Sequence, residues 1–159
     1  MSRAFVREDD QVRPEAPPEL KVSTLPNWVT PQGLRMIDAK LEALEAAVKA
    51  GPEEAQEAWI RRDLRYWTHQ RASAQLAPLL PEDAETVAFG ARVTIARGEG
   101  PEETLDIVGE DEADPAGGKV SWASPLARAL MGAAVGDVVE LGDRKPPVQI
   151  EILAIQPIS

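Results

Sequence analysis

Two stretches of the N-terminal half carry apolar residues at helical spacing. Apolar side chains in the first stretch recur every three or four residues, at Leu34, Ile37, Leu41, Leu44 and Val48. The second stretch repeats this spacing, with one basic member, at Ile60, Leu64, Trp67, Arg71 and Ala74. Such a period lines one face of a helix and is typical of a coiled-coil seam. The pattern therefore predicts two helices that pack against each other.

Turn residues mark the ends of these helices. Thr30-Pro31 offers a side-chain cap followed by a proline at the first helical position, and Gly51-Pro52 breaks the helix after about 20 residues. Two helices joined by so short a loop must run antiparallel, so we expect a helical hairpin over residues 31–77. At 1.5 Å per residue its first arm is about 30 Å long. Pro78 and Pro81 end the second helix and mark a domain boundary.

From Val87 onwards the apolar residues alternate with polar or small ones, which is the period of a β-strand. Glycines at positions 98, 100, 117 and 118 supply turns between the apolar runs. Five strands are expected, within residues 87–95, 103–108, 119–123, 137–141 and 148–155. The predicted fold class is α+β: an N-terminal antiparallel helical hairpin followed by an antiparallel sheet with one short helix.

The short helix is predicted from its caps. Ser124 is a favoured N-cap, Pro125 suits the first helical position, and Gly132 can take the left-handed conformation that ends a helix. Leu126 and Leu130 lie four residues apart, so this side is expected to pack on the sheet while Arg128 points away.

Composition and charge limit the possible functions. Of 159 residues, 43% are apolar, which is enough for one or two compact units. We expect a leader without regular structure at residues 1–28, the hairpin at residues 29–80 and the sheet domain at residues 81–159. The net charge is −10, and residues 81–159 hold 15 acidic and 6 basic side chains. Autonomous binding to duplex DNA or to an anionic membrane needs a positive patch and is not expected.

Other features point to a protein of the cytoplasm without a cofactor. The chain has no cysteine, which excludes disulfides and thiolate metal sites, and no apolar run long enough to span a membrane. The loop Glu110-Asp111-Glu112-Ala113-Asp114 could suggest a metal site, but adjacent carboxylates on a loop usually face solvent. His69, the only histidine, has no recognisable nucleophile as partner. Because no phosphate loop, catalytic dyad or cofactor fingerprint is visible, we do not expect an enzyme.

Basic and aromatic residues of the second helix leave two readings open. Arg61, Arg62 and Arg65 could form ion pairs with the glutamates that precede them, or they could meet nucleic acid or an acidic protein wall. The aromatic side chains near these arginines are Trp59, Tyr66 and Trp67. They could stack on bases, but packing within the hairpin is the simpler expectation.

Several motifs together carry a family resemblance. The runs FGARVTI (89–95), IVGEDEADPAGGKVSWASPLARALMG (107–132) and VGDVVEL (135–141) resemble the C-terminal domain of the bacterial Gre-type transcript elongation factors, and VTPQGL (29–34) resembles the start of their hairpin. The resemblance implies an FKBP-like sheet domain that grips the rim of the secondary channel of RNA polymerase. It implies that the hairpin enters this channel and carries acidic residues towards the catalytic Mg²⁺.

The same resemblance implies candidate site residues. The family segment that matches Ala123-Ser124-Pro125 contributes to polymerase docking, so these residues, with Trp122 and Arg128, are the candidate polymerase-binding set. Cleavage factors of the family carry a Gly-Asp-x-x-Glu-Asn-Ala-Glu-Tyr pattern at the hairpin tip, whereas this chain has Gly-Pro-Glu-Glu-Ala-Gln-Glu-Ala-Trp at residues 51–59. Only Glu54 and Glu57 can be matched to its carboxylates, and the first arm is two to three turns shorter than in cleavage factors, a shortfall of about 15 Å.

Two functions therefore remain. The first is an RNA polymerase-binding regulator of transcription elongation, a monomer that meets nucleic acid only through the transcription complex and has weak or no transcript-cleavage stimulation. The second is an interaction module of another pathway, such as the short-hairpin relatives named as nucleoside-diphosphate-kinase regulators.

Overall fold

The computed structural model describes residues 16–158. Of the expected leader, residues 1–15 lie outside the described part of the chain. Within residues 16–27 there is no helix or strand.

Two long helices form the N-terminal hairpin: α1 spans Pro31–Lys49 and α2 spans Glu54–Ser73. The Thr30 side chain accepts a hydrogen bond from the Gly33 backbone N–H at 3.0 Å, as expected of an N-cap. Gly51 takes a positive φ of 70° in the connection between the helices, a conformation that glycine adopts without strain. The predicted antiparallel hairpin is confirmed.

The seam of the hairpin is shallow. Ile37 is fully buried, but Leu41, Leu44 and Val48 are only half-buried towards the tip. This is expected of two helices without a third, because each seam residue has solvent on one side. Across the seam Arg71 donates to Asp38 at 2.6 Å in an exposed ion pair.

The second helix ends earlier than its sequence pattern predicts. After Ser73 the chain becomes extended, and β2 (Gln75–Leu76) pairs in parallel with β1 (Trp28–Val29). The Gln75 backbone N–H donates to the Asn27 carbonyl at 2.8 Å. The prediction of helix to residue 77 is wrong because this pairing gives the backbone of residues 75–77 partners outside the helix.

Part of the segment before β1 lies along α2. Arg65 on α2 forms an ion pair with Glu19, and this hydrogen bond lowers the pKa of Glu19. Nearer the base of the hairpin, the Asn27 side chain donates to the Gln70 carbonyl at 2.9 Å.

A five-stranded sheet forms the C-terminal domain. Its strands are β3 (Ala91–Arg97), β4 (Glu102–Val108), β5 (Lys119–Ser121), β6 (Val138–Leu141) and β7 (Val148–Pro157), in the spatial order β5-β4-β3-β7-β6. Strands β4, β5 and β6 lie inside the predicted regions or within one residue of them, whereas β3 and β7 extend two residues further at their carboxyl ends. Strand β3 also begins at Ala91 rather than at residue 87.

The sheet is mixed, whereas the sequence pattern predicts a wholly antiparallel one. Strand β5 pairs with β4 in parallel, with Ile107 opposite Val120. The acidic loop between them, residues 109–118, includes a 3₁₀ turn at Pro115–Gly117. It returns the chain towards the end of the sheet at which β4 begins, so that β5 can run parallel to β4. Strand direction could not be read from the alternation because that pattern is the same for both pairings.

One apolar cluster fills the C-terminal domain. It includes the fully buried Ile95, Ile107, Ile150 and Ile152 of the sheet. Helix α3 (Pro125–Leu130) covers this face of the sheet with Leu130, which is fully buried, and with the partly buried Leu126. Both leucines pack as predicted, and Ala127, which the helical pattern did not select, is buried beside them.

Candidate functional site

Hydrogen bonds fix helix α3 and the residues before it at the end of β5. The Trp122 backbone N–H donates to the Val108 carbonyl at 2.9 Å, and the Ala123 backbone N–H donates to the Ser121 side chain at 3.1 Å. Ser124 then caps α3 by accepting from the Ala127 backbone N–H at 3.2 Å. These bonds fix the entry to the helix before any partner binds.

We name the candidate residues Trp122, Ala123, Ser124, Pro125 and Arg128 the α3 surface; the first four are consecutive, and Arg128 follows Pro125 by three residues on α3. Pro125 and Arg128 are exposed on the first turn of the helix, and the other three are half-buried. The structure therefore brings the candidates together. Their role in binding a partner stays a prediction.

An apolar cleft adjoins the α3 surface. It is lined by Trp122, Met131 and Phe89 together with the linker residues 77–81. Leu79 of this linker is 76% exposed, although it is a large apolar side chain. The indole N–H of Trp122 is buried and has no hydrogen-bond partner among the described residues. The cleft is thus lined mainly by apolar side chains, as many ligand-binding clefts are.

The hairpin tip carries the two candidate carboxylates at the start of α2. Glu54 is the first residue of the helix and is exposed. Glu57 forms an ion pair with Arg61 at 2.6 Å, one helical turn away. Glutamates are favourable at a helix N-terminus because of the positive end of the helix dipole, so both positions have an ordinary structural explanation.

A second polar constellation lies at the base of the hairpin, where the acidic loop meets α2. The Tyr66 hydroxyl and the Gln70 side-chain amide, four residues apart on α2, donate to the two carboxyl oxygens of Asp111. Gln70 is only 6% exposed. Burial, together with the hydrogen bond to Asp111, raises the pKa of Tyr66 above its ordinary value.

Glu112, the next residue of the loop, contacts the start of α1. Its carboxyl group accepts a hydrogen bond from the Thr30 hydroxyl at 2.7 Å and lies 3.8 Å from the Lys119 ammonium. Glu112 is 8% exposed. The expectation that the loop carboxylates face solvent is therefore wrong for Asp111 and Glu112, because both bind donors at the hairpin base. The sequence offers one signal of these contacts: Tyr66 and Gln70, whose side chains both carry hydrogen-bonding groups, lie on the same face of α2.

The basic residues of α2 divide between the readings that the sequence leaves open. Arg61 forms the expected intrahelical pair with Glu57. Arg65 instead reaches Glu19 of the preceding segment, and Arg62 lies over the Trp59 ring, 4.6 Å from its centre. Trp59 is half exposed near the tip, whereas the rings of Tyr66 and Trp67 contact each other edge to face. His69 is exposed on the same helix.

The described residues form neither a metal-ligand cluster nor a helix that could cross a membrane. Within residues 16–158, no three histidine, aspartate or glutamate side chains are grouped so that they could hold a metal ion. Neither of the two long helices in this part of the chain combines the length and apolarity needed to cross a bilayer.

Comparisons with known proteins relate the C-terminal domain to a family. Residues 82–157 match the family model described as transcription elongation factor, GreA/GreB, C-terminal. The transcription elongation factor GreB of Neisseria meningitidis serogroup A is 44% identical over 101 residues, which are 63% of this chain and 62% of that protein. The GreA factor of Maricaulis maris is 36% identical over 98 residues, 61% of this chain and 62% of that protein. This chain thus spans less than two thirds of the length of these relatives.

Solved structures of similar proteins superpose only loosely. The GreA factor homolog 1 (Gfh1) of Thermus thermophilus is 21% identical, with 81% of this chain and 97% of that chain covered and a TM-score of 0.39. The GreA/GreB factor of Nitrosomonas europaea is 22% identical, with 81% and 98% covered and a TM-score of 0.40. The relation to the family rests on the sequence matches rather than on these superpositions.

Proposed function

We propose that this chain binds RNA polymerase and regulates transcription elongation. The proposal follows from its membership, through the C-terminal domain, of the GreA/GreB family of transcription elongation factors. In this proposal residues 81–159 dock at the rim of the secondary channel, residues 29–80 form the hairpin that enters it, and residues 1–28 form a leader. The protein acts as a monomer in the cytoplasm, is not an enzyme, and meets nucleic acid only through the transcription complex.

The observation that carries the proposal is the α3 surface. It lies inside the matched residues 82–157, and Pro125 and Arg128 are exposed at the start of a helix whose entry is already fixed by hydrogen bonds. A preformed surface loses little conformational entropy on binding. The neighbouring cleft adds apolar area.

Charge supports a partner with a basic docking surface. The C-terminal domain, residues 81–159, has a net charge of −9. Complementary potential increases the rate of association and suppresses binding to acidic proteins. The hairpin residues 29–80, with seven acidic and seven basic side chains, carry no comparable excess.

We also propose that transcript cleavage is stimulated weakly or not at all. A second metal ion at a polymerase centre is held by carboxylates with free oxygens. Glu57 is already paired with Arg61, and Glu54 is one carboxylate at a tip that lacks the aspartate of the cleavage factors. The short first arm of 19 residues supports the same conclusion, because its tip reaches less far.

Binding of the purified protein to core RNA polymerase tests the proposal. Pro125→Glu places a longer charged side chain on the α3 surface without removing a backbone donor, and glutamate is tolerated in the first turn of a helix. The matched control is Pro101→Glu, the same change at an exposed position before β4. We expect at least about a tenfold loss of affinity for Pro125→Glu, typical of a change inside an interface, and little loss for the control.

Two results would contradict the proposal. One is absence of binding by the parent protein at micromolar concentration; the other is equal binding by the parent and both variants. If a nucleoside diphosphate kinase, tested alongside, is bound while polymerase is not, the alternative function takes precedence.

A further inference from the structure

The acidic loop between β4 and β5 is the main polar contact between the two domains. We propose that Asp111 and Glu112 are positioning residues that fix the direction in which the hairpin leaves the C-terminal domain. The role of this direction, which is to aim the hairpin while the α3 surface docks, rests on the proposed function. The fixed direction itself does not depend on the proposed function.

Asp111 binds the second arm of the hairpin. Its two carboxyl oxygens accept from two different side chains, the Tyr66 hydroxyl and the Gln70 amide. The Gln70 carbonyl, in turn, accepts from the Asn27 side chain. Because Tyr66 and Gln70 lie one helical turn apart, a single carboxylate fixes both the rotation and the tilt of α2 at this point.

Glu112 binds the first arm. It accepts from the Thr30 hydroxyl, which is also the N-cap of α1, so one side chain joins the loop and the helix start. The carboxyl group is buried, and its nearest cation is Lys119 on β5 of the same domain. Two consecutive loop residues thus hold the two arms separately, which resists twisting of the hairpin as well as bending.

Close backbone packing leaves little room for another orientation. A side-chain carbon added at Gly109 would lie 2.4 Å from the Trp28 carbonyl oxygen of β1, and one added at Gly33 would lie 3.0 Å from a Glu112 carboxyl oxygen. Glycine at these positions therefore allows the loop to approach the start of the hairpin. Val29, Ile37 and Val108 are buried but lie outside the apolar cluster of the sheet domain.

The covalent link alone would not fix the direction. The chain passes from β2 to the C-terminal domain through residues 77–81, which have no helix or strand and include the exposed Leu79. Strands β1 and β2 have two residues each and both belong to the hairpin side of the molecule. Without the loop contacts, the hairpin would be free to swing about this linker.

Spin-label distances measure the direction of the hairpin. The chain contains no cysteine, so Gln56→Cys near the tip and Glu140→Cys on β6 give two unique labels at exposed positions. Double electron–electron resonance should give one narrow distribution of the distance between the two labels in the parent. We expect Asp111→Asn to broaden it, because asparagine presents one oxygen acceptor where two donors converge. Tyr66→Phe removes only the hydroxyl and should broaden it less.

Glu110→Gln is the matched control. It removes one negative charge from the same loop, but Glu110 makes no side-chain hydrogen bond among the described residues. Its distance distribution should equal that of the parent. Equal distributions for the parent, Asp111→Asn and Tyr66→Phe would overturn the proposal. If Asp111→Asn fails to fold, Tyr66→Phe, which keeps the packed ring, decides the question.

A polymerase experiment separates positioning from general stability. With a photo-crosslinker at position 56, Asp111→Asn should keep the polymerase affinity of the parent within a few fold but lose the crosslink from the tip. Equal crosslinking by the two proteins would overturn a role for Asp111 in aiming the hairpin. If no variant binds polymerase, the proposed function fails, while the spin-label distances still test the fixed direction.

Discussion

The two domains are stabilised by different kinds of contact. In the sheet domain eleven buried residues form one apolar cluster, whereas in the described part of the hairpin helices only Ile37 is a buried large apolar residue. Towards its tip the hairpin depends on half-buried pairs, and at its base it depends on polar contacts with the other domain. The contrast is consistent with the two proposals made above: that the sheet domain is a stable docking body, and that the hairpin depends on contacts with that domain for its direction.

Truncation of the apolar side chains should show the contrast most strongly. Ile95→Ala, at a fully buried position of β3, should cost about 2–5 kcal/mol of unfolding free energy because it leaves a cavity in a closed core. Leu44→Ala, at a half-buried seam position of α1, should cost about 1 kcal/mol. Urea unfolding of both variants measures the difference. Equal losses would show that the seam is a core comparable to that of the sheet.

The two N-caps provide a second comparison, because Thr30-Pro31 and Ser124-Pro125 begin their helices by the same device. Ser124→Ala should cost about 1 kcal/mol, the usual value of a cap. Thr30→Ala should cost about 1–3 kcal/mol more, because it also leaves the buried Glu112 carboxyl without its hydroxyl donor. Thermal or urea unfolding of the two variants measures the difference. If Thr30→Ala costs no more than Ser124→Ala, Glu112 is not held by this hydrogen bond.

The pH dependence of stability tests the base of the hairpin. Tyr66 has a raised pKa in the folded protein, so its contribution to stability is fully present below its ordinary pKa of about 10 and is lost as the pH rises above it. Tyr66 is the only tyrosine, so phenolate absorbance reports this group alone. It should titrate later in the native protein than in urea. Coincident titration curves would contradict the partly buried hydrogen bond to Asp111.

The smallest effect is expected at the exposed pair across the seam. Asp38→Asn removes the partner of Arg71, but both side chains are about half exposed, so the loss should be about 0–1 kcal/mol. Unfolding at low and high salt measures it. A loss of 2 kcal/mol or more would show that ion pairs, rather than the apolar seam, hold the arms together.

The sequence predicted those features that local chemistry determines. The hairpin followed from apolar spacing and from Gly51-Pro52, and the α3 helix followed from Ser124-Pro125 and Gly132, which takes a positive φ of 85°. The shortened end of α2 could not be predicted, because it depends on pairing with β1, which is distant along the chain.

Tertiary context also explains why the contacts at the hairpin base could not be predicted. An acidic loop usually faces solvent, and nothing in residues 110–114 indicates that Asp111 will meet Tyr66 or that Glu112 will meet Thr30. The parallel strand β5 depends on the path of the same loop. By contrast, the α3 surface could be named in advance, because the family resemblance of residues 107–132 implies it.

In the proposed function this chain binds RNA polymerase through the α3 surface and presents a hairpin that stimulates transcript cleavage weakly or not at all. A titration of the protein into a backtracked transcription complex, with and without an authentic cleavage factor, tests both parts in one assay. We predict no added cleavage by the protein alone and a concentration-dependent loss of the factor's cleavage, with the loss relieved in Pro125→Glu. Strong cleavage by the protein alone, abolished by Glu54→Ala or Glu57→Ala, would contradict the claim.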